Sequence, residues 1–114
     1  MEGPFIWKEP DRPYIYLFYS GSNTWGSTYA IGVARAMSIA GPWTKMGSAL
    51  AHTRAGAATV NTSFVSPGHN SVMRKGGSAF IVYHAERWGA SSPNGTDRGQ
   101  ARYMMVDRLI FWRR

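Results

Sequence analysis

Apolar residues come in short blocks along this chain, each closed by Gly, Pro or a polar cluster. That punctuation predicts strands and turns rather than long helices. Phe5-Ile6-Trp7-Lys8 reads as a first strand. Glu9-Pro10-Asp11-Arg12-Pro13 reads as a turn, because two prolines remove backbone donors and fix φ. Tyr14 to Tyr19 is an unbroken aromatic and aliphatic run. It is too short for a buried helix and rich in β-formers, so it predicts a central strand buried on both faces. After the Ser20-Gly21-Ser22-Asn23 turn, Thr28 to Ala34 predicts a third strand. Its Ala30 and Gly32 imply close approach of neighbouring backbone. Gly41-Pro42 then turns the chain into a short outer strand at Trp43-Thr44-Lys45-Met46.

The stretch 47–66 is rich in Ala, Thr and Ser and has little periodicity. It reads as a connection with one weak strand near Thr62 to Val65. Pro67-Gly68-His69-Asn70 leads into a strand at Ser71-Val72-Met73-Arg74. Lys75-Gly76-Gly77 predicts a hairpin turn, and Ala79 to His84 a second strong strand. Ala90 to Gly99 reads as a loop. Ala101 to Val106 forms a strand that Leu109 to Trp112 continues or follows.

This pattern repeats. Ile6-Trp7-Lys8, a turn and Tyr16 to Tyr19 match Val72-Met73-Arg74, a turn and Phe80 to Tyr83. Tyr29 to Val33 likewise matches Tyr103 to Val106 after a longer loop. A repeat of about 65 residues, each holding three or four strands, is the signature of a β-propeller blade. The predicted fold class is therefore all-β: a fragment of a propeller with about seven antiparallel strands. Residues 1–47 form one blade, 48–66 a connection and 67–114 an incomplete blade. Propellers close with about four or more blades, so these account for part of one.

Composition narrows the partners. With 44% hydrophobic and 14% aromatic residues in 114, the chain is not a disordered segment. The absence of Cys excludes disulfides and thiolate metal sites. No stretch approaches the ~18 consecutive apolar residues of a membrane-spanning helix, and no basic region followed by an apolar run marks a secretory signal. No membrane partner is expected. The net charge of +7 comes from thirteen Lys and Arg against six acids. They are scattered singly except for Arg74-Lys75 and Arg113-Arg114, so no nucleic-acid partner is expected.

The repeat also aligns Glu2-Gly3-Pro4 with Gly68-His69-Asn70. Both stand just before the first strand of a blade, which in a propeller is innermost and lines the central channel. A carboxylate beside a turn is ordinarily just solvated. Two ionisable residues at one channel mouth make a candidate functional site.

At these residues the sequence resembles a family 43 glycoside hydrolase, a five-bladed β-propeller. The resemblance rests on Glu2-Gly3-Pro4-Phe5, Tyr16 to Ser20, Tyr29 to Ala34, Gly41 to Lys45, Pro67 to Val72, Tyr83-His84-Ala85 and Val106 to Leu109. It spans nearly the whole chain and corresponds to the third blade and most of the fourth. It implies an inverting glycosidase acting on arabinose- or xylose-containing polysaccharides or oligosaccharides. Glu2 matches the general acid. His69 matches the channel histidine that in many members holds calcium or a water near the sugar subsite. Arg102 falls where many members place an arginine reaching the active site.

The family's general base and the Asp that orients the acid have no counterpart here. Inverting hydrolysis needs an acid and a base about 6.5–9.5 Å apart. Glu9 stands at the other end of its strand, about 20 Å from Glu2 at ~3.3 Å per residue, and Asp97 and Asp107 align with loop and strand-end positions. The isolated chain is therefore expected to have little or no activity. Trp25 and Trp88, in loops, are the tryptophans placed to stack on sugar rings. His84 is expected to be packed or hydrogen-bonded. Unpaired blade edges imply association, either as a homo-oligomer or with a missing N-terminal half. They also leave a second reading open, a non-catalytic carbohydrate-binding or self-assembling β-module.

Overall fold

A computed structural model of the chain describes residues 1–21, 29–47, 51–52, 64–87 and 102–111. Among these, every regular element is a β-strand. In the first sheet β1 (Glu2–Lys8) pairs with β2 (Ile15–Gly21), and β2 with β3 (Ala30–Ala36), all antiparallel. The outer edge of β3 is taken by two short pieces. β4 (Thr44–Lys45) pairs at Ala34 and Arg35, and β5 (Ala51–His52) at Ala30 and Ile31. The second sheet is β6 (Phe64–Lys75), β7 (Ser78–Arg87) and β8 (Arg102–Leu109), in that order. Its first hairpin turns at Gly76-Gly77. No helix among the described residues is long and apolar enough to cross a membrane.

The order matches one four-stranded blade followed by three strands of another. Three local readings change. Ala51–His52, inside the expected connection, is a strand: two residues carry no periodicity, and the free edge of β3 organises them. Pro67 to Asn70 is not a turn before a strand but the middle of β6, where bulges let a Pro sit without breaking the sheet. β2 is central, but its burial alternates. Tyr16, Phe18 and Ser20 are buried, while Ile15, Leu17 and Tyr19 are half-buried.

The two sheets pack face to face. Tyr16, Phe18 and Ile31 of the first meet Val72 and Ile81 of the second, ringed by Phe5, Trp7, Tyr14, Val33, Tyr83, Leu109 and Phe111. Burying a large apolar side chain contributes about 1.5–3 kcal/mol, so this contact is the main source of cohesion. Strand parity explains it. Cross-strand partners share a face, and Trp7, Tyr16 and Arg35, like Phe5, Phe18 and Val33, are register partners.

At one end of the stack both inner strands are bulged. Between the pairs Glu2↔Ser20 and Phe5↔Phe18, β1 carries one residue more than β2, and Gly3 there has φ 57°. Between Gly68↔His84 and Ser71↔Val82, β6 carries one more than β7, and His69 has φ 52°. Gly3 and His69 are equivalent positions of the sequence repeat. A left-handed residue is what this kind of bulge requires. β6 has a second bulge one step earlier, with Ser66 at φ 53°. Bulges re-aim side chains, and here they do so at the mouth of the stack.

Candidate active site

Glu2 opens β1, on the exposed rim of the first sheet. Glu2 was expected just before the strand; it is the strand's first residue, displaced by the Gly3 bulge. Its Oε1 accepts a hydrogen bond from the Tyr29 hydroxyl at 2.5 Å. Tyr29 immediately precedes β3 and is 1% exposed. Burial, then the hydrogen bond to Glu2, pushes its phenol above the ordinary range, so it is a donor at neutral pH. The Tyr29 ring lies against Gly68, where a Cβ would come within 2.1 Å of Cε2. Gly68 is therefore a seat for Tyr29 as well as a residue of β6.

His69 crosses to the first sheet by its backbone. Its N–H donates to Ser20 Oγ at 2.6 Å, and Ser20 is fully buried. A Cβ at Gly3 would stand 3.2 Å from His69 Cα and 3.5 Å from Nδ1. The glycine thus serves both the left-handed backbone and the close approach of the imidazole. So Glu2 and His69, from different sheets, are brought together.

Arg102 begins β8 at the same end. Its Nε lies 3.8 Å from Oε1 of Glu86, its cross-strand partner, which is buried. Its charge also acts on Tyr29 and on His84. The His84 ring stacks at 6.3 Å from the His69 ring, centroid to centroid. Burial, then the charges of Arg102 and His69, hold His84 below the ordinary histidine range. Asn70 Nδ2 and Oδ1, His84 Nδ1 and Glu86 Oε2 are buried without a protein partner among the described residues. Such atoms take up bound water or the hydroxyls of a ligand.

Glu9 and Asp107 are committed elsewhere. Glu9 accepts from Trp7 Nε1 at 2.9 Å and pairs with Arg74. Asp107 accepts from the Tyr83 hydroxyl at 2.5 Å. Trp25 and Trp88 lie outside the described residues. Ser20, Tyr29, Asn70 and Glu86 were given no role from the sequence. Ser20 and Glu86 become visible once register is known, because they pair with Glu2 and Arg102. Tyr29 becomes visible only through Gly68, on the other sheet.

Among the described residues no three of His, Cys, Asp and Glu converge on a point that could hold a metal ion. Calcium takes six to eight oxygen donors, and a single imidazole does not supply them. The described residues do not by themselves compose a calcium site.

Two stacked antiparallel sheets, whose bulged inner strands deliver a carboxylate and an imidazole to one mouth, define a piece of a β-propeller of the glycoside hydrolase type. The sequence matches the profile described as Glycosyl hydrolases family 43 over residues 1–111. It is 36% identical over 110 aligned residues to an extracellular endo-α-(1→5)-L-arabinanase of Thermotoga petrophila, covering 74% of this chain and 23% of that protein. The fold superposes on a crystal structure of a thermostable family-43 glycoside hydrolase with a TM-score of 0.73 and 32% identity, over 97% of this chain and 32% of the other. It also superposes on an endo-1,5-α-L-arabinanase of Thermotoga petrophila in complex with TRIS, with a TM-score of 0.71 and 28% identity, over 96% of this chain and 28% of that one. The chain belongs to glycosyl hydrolase family 43. It spans about a quarter of the length of the arabinanase sequence and about a third of the solved structures.

Proposed function

We propose that this chain carries the general-acid side of an inverting glycosidase acting on arabinose- or xylose-containing polysaccharides or oligosaccharides. The observation that carries the reading is the juxtaposition of Glu2 and His69 across two sheets, through Tyr29, Ser20 and Gly3. The arabinanase relative favours an α-1,5-linked arabinose polymer as the first substrate to try.

In this reading Glu2 protonates the leaving glycosidic oxygen as its bond to the anomeric carbon breaks and the electron pair departs with that oxygen. A water molecule attacks the anomeric carbon from the opposite face and gives its proton to a carboxylate base. That base comes from outside the described residues, since Glu9 and Asp107 are bonded elsewhere, Glu86 is buried against Arg102, and Asp11 lies in the turn beyond the far end of β1. His69 and Arg102 contact the sugar, and Asn70 and His84 offer buried polar atoms for its hydroxyls. Trp25 and Trp88 supply stacking surfaces.

The test has two arms. The chain alone is incubated with linear arabinan and with 4-nitrophenyl arabinofuranoside and xylopyranoside; no turnover is expected. Joined to blades that supply the base, it gains turnover, and Glu2→Gln removes it. Robust turnover by the chain alone, abolished by Glu2→Gln, would show that a base is already present.

A second reading is favoured by the outer faces of the sheets. Met73, Met104 and Val106 are 45%, 77% and 51% exposed on the outer side of the second sheet, and Ile6 is 45% exposed on that of the first. Such faces suit a self-assembling β-module that binds carbohydrate without cleaving it. Light scattering that shows a monodisperse monomer removes this reading.

A further inference from the structure

Glu2 is an exposed side chain with several rotatable bonds, the kind that ordinarily samples many rotamers. Its Oε1 is nonetheless held by a wholly buried phenol at 2.5 Å. The second sheet closes on the first beside that phenol. His69 N–H donates to Ser20 Oγ. Ser20, fully buried, is also the cross-strand partner of Glu2. Tyr29 has a single hydroxyl hydrogen, and it points to Glu2.

We propose that Tyr29 is the positioning residue for Glu2: it fixes Oε1 as the acceptor oxygen and leaves Oε2 to carry and deliver the acid proton. The inference rests on the reading of Glu2 as the general acid. In a protonated carboxyl the two oxygens differ, and a donor aimed at one favours the tautomer with the proton on the other. During the reaction the Oε2–H bond breaks and the proton moves to the leaving oxygen. The carboxylate left behind keeps the Tyr29 hydrogen bond. Tyr29 gives up no proton, and its burial keeps it from the substrate. Gly68 is part of the device, because any side chain there would occupy the place of the ring. The acid of one sheet is thereby held by a tyrosine seated on the next.

The test is made by NMR on the chain of 114 residues. In the unsubstituted chain the Glu2 Hα–Hβ and Hβ–Hγ couplings show one dominant rotamer. In Tyr29→Phe they collapse to averaged values, while the amide signals of β7 and β8 stay in place. Should Tyr29→Phe fail to fold, Glu2→Gln carries the test. The Tyr29 hydroxyl proton is downfield and slow to exchange at neutral pH in the unsubstituted chain, and it moves upfield in that variant. Unchanged Glu2 couplings in Tyr29→Phe, or a hydroxyl signal indifferent to Glu2→Gln, overturn the proposal. The acid reading fails separately, through unimpaired turnover of Glu2→Gln in the base-bearing assembly. That result leaves the Tyr29 contact standing but removes its catalytic meaning.

Discussion

Gly68→Ala tests how the two sheets meet. The new methyl carbon would stand 2.1 Å from Tyr29 Cε2, 2.6 Å from Cζ and 2.7 Å from the hydroxyl oxygen. Carbon atoms rest at about 3.5–4.0 Å, so ring or strand must retreat by about 1.4 Å or more. Tyr29 has no solvent to retreat into, being 1% exposed. The loss should reach the upper end of overpacking costs, about 3 kcal/mol. Two other glycines calibrate the effect. A methyl at Gly32 would stand 2.6 Å from Tyr19 Cζ, but Tyr19 is half-buried on the outer face and can swing away. There the expected cost is about 1 kcal/mol. A methyl at Gly77 meets nothing within 4 Å, and its effect should stay within about 0.5 kcal/mol. Urea unfolding at constant m measures all three. The double variant Tyr29→Ala/Gly68→Ala removes the obstruction, so its cost should fall short of the sum by about 1 kcal/mol or more. Equal losses in the three single variants, or strict additivity in the double, would refute the idea that Gly68 is a seat for the ring.

Two further predictions concern acid. Burial pushes the Glu9 carboxyl up, but hydrogen bonds from Trp7 and Arg74 and the charges of Arg74 and Arg12 outweigh it and hold it below 4.5. The unfolded chain therefore binds this proton first, so stability present above pH 4.5 declines as pH falls through the lower folded value. Glu9→Gln should lose about 1–2 kcal/mol at neutral pH and show a shallower acid decline, read from urea midpoints at stepped pH. His84 also has its folded value below the ordinary 6.5, so stability present above that pH is lost as the unfolded chain protonates first. His84→Gln should flatten the profile just below pH 6.5, and parallel profiles would show that the environment of His84 is misread.

Much of this arrangement was legible in the sequence because strands were separated by unambiguous punctuation. Tyr14 to Tyr19 and Ala79 to His84 are too short and too β-rich to be read otherwise, and Gly76-Gly77 marks its hairpin. The repeat carried more than any single strand. It aligned Gly3 with His69, and these two proved to be the left-handed residues of equivalent bulges. The bulges themselves were not legible. A bulge is a difference in residue count between paired strands, and it has no local composition when a His or Ser takes the left-handed position. For that reason Pro67 to Asn70 read as a turn. Glu86 and Ser20 were silent for a related reason: their importance lies in which residue stands opposite, and register follows from long-range pairing. Tyr29 looked like any aromatic at a strand start, since the gap it fills is a missing Cβ on the other sheet.

The site and the core are the same contact seen at two depths. Glu2, Ser20 and Tyr29 come from the first sheet, and Gly68, His69 and Arg102 from the second. Below them, Tyr16, Phe18 and Ile31 meet Val72 and Ile81. The distance between acid and imidazole is therefore set by packing between blades, not by any one loop. The same logic extends outward. Ile6 and Leu17 are register partners on the outer face of the first sheet, and Val82 and Val106 on that of the second. Both faces carry apolar pairs, although the second also holds Arg108 opposite Phe80. In a propeller each blade packs a face on either side. Blades that cover these outer faces would bear on the two sheets directly, and through them on the separation of Glu2 and His69. On the proposed reading, a base delivered by such a blade would thus be placed relative to Glu2 by the same kind of contact that already fixes Tyr29 on Gly68.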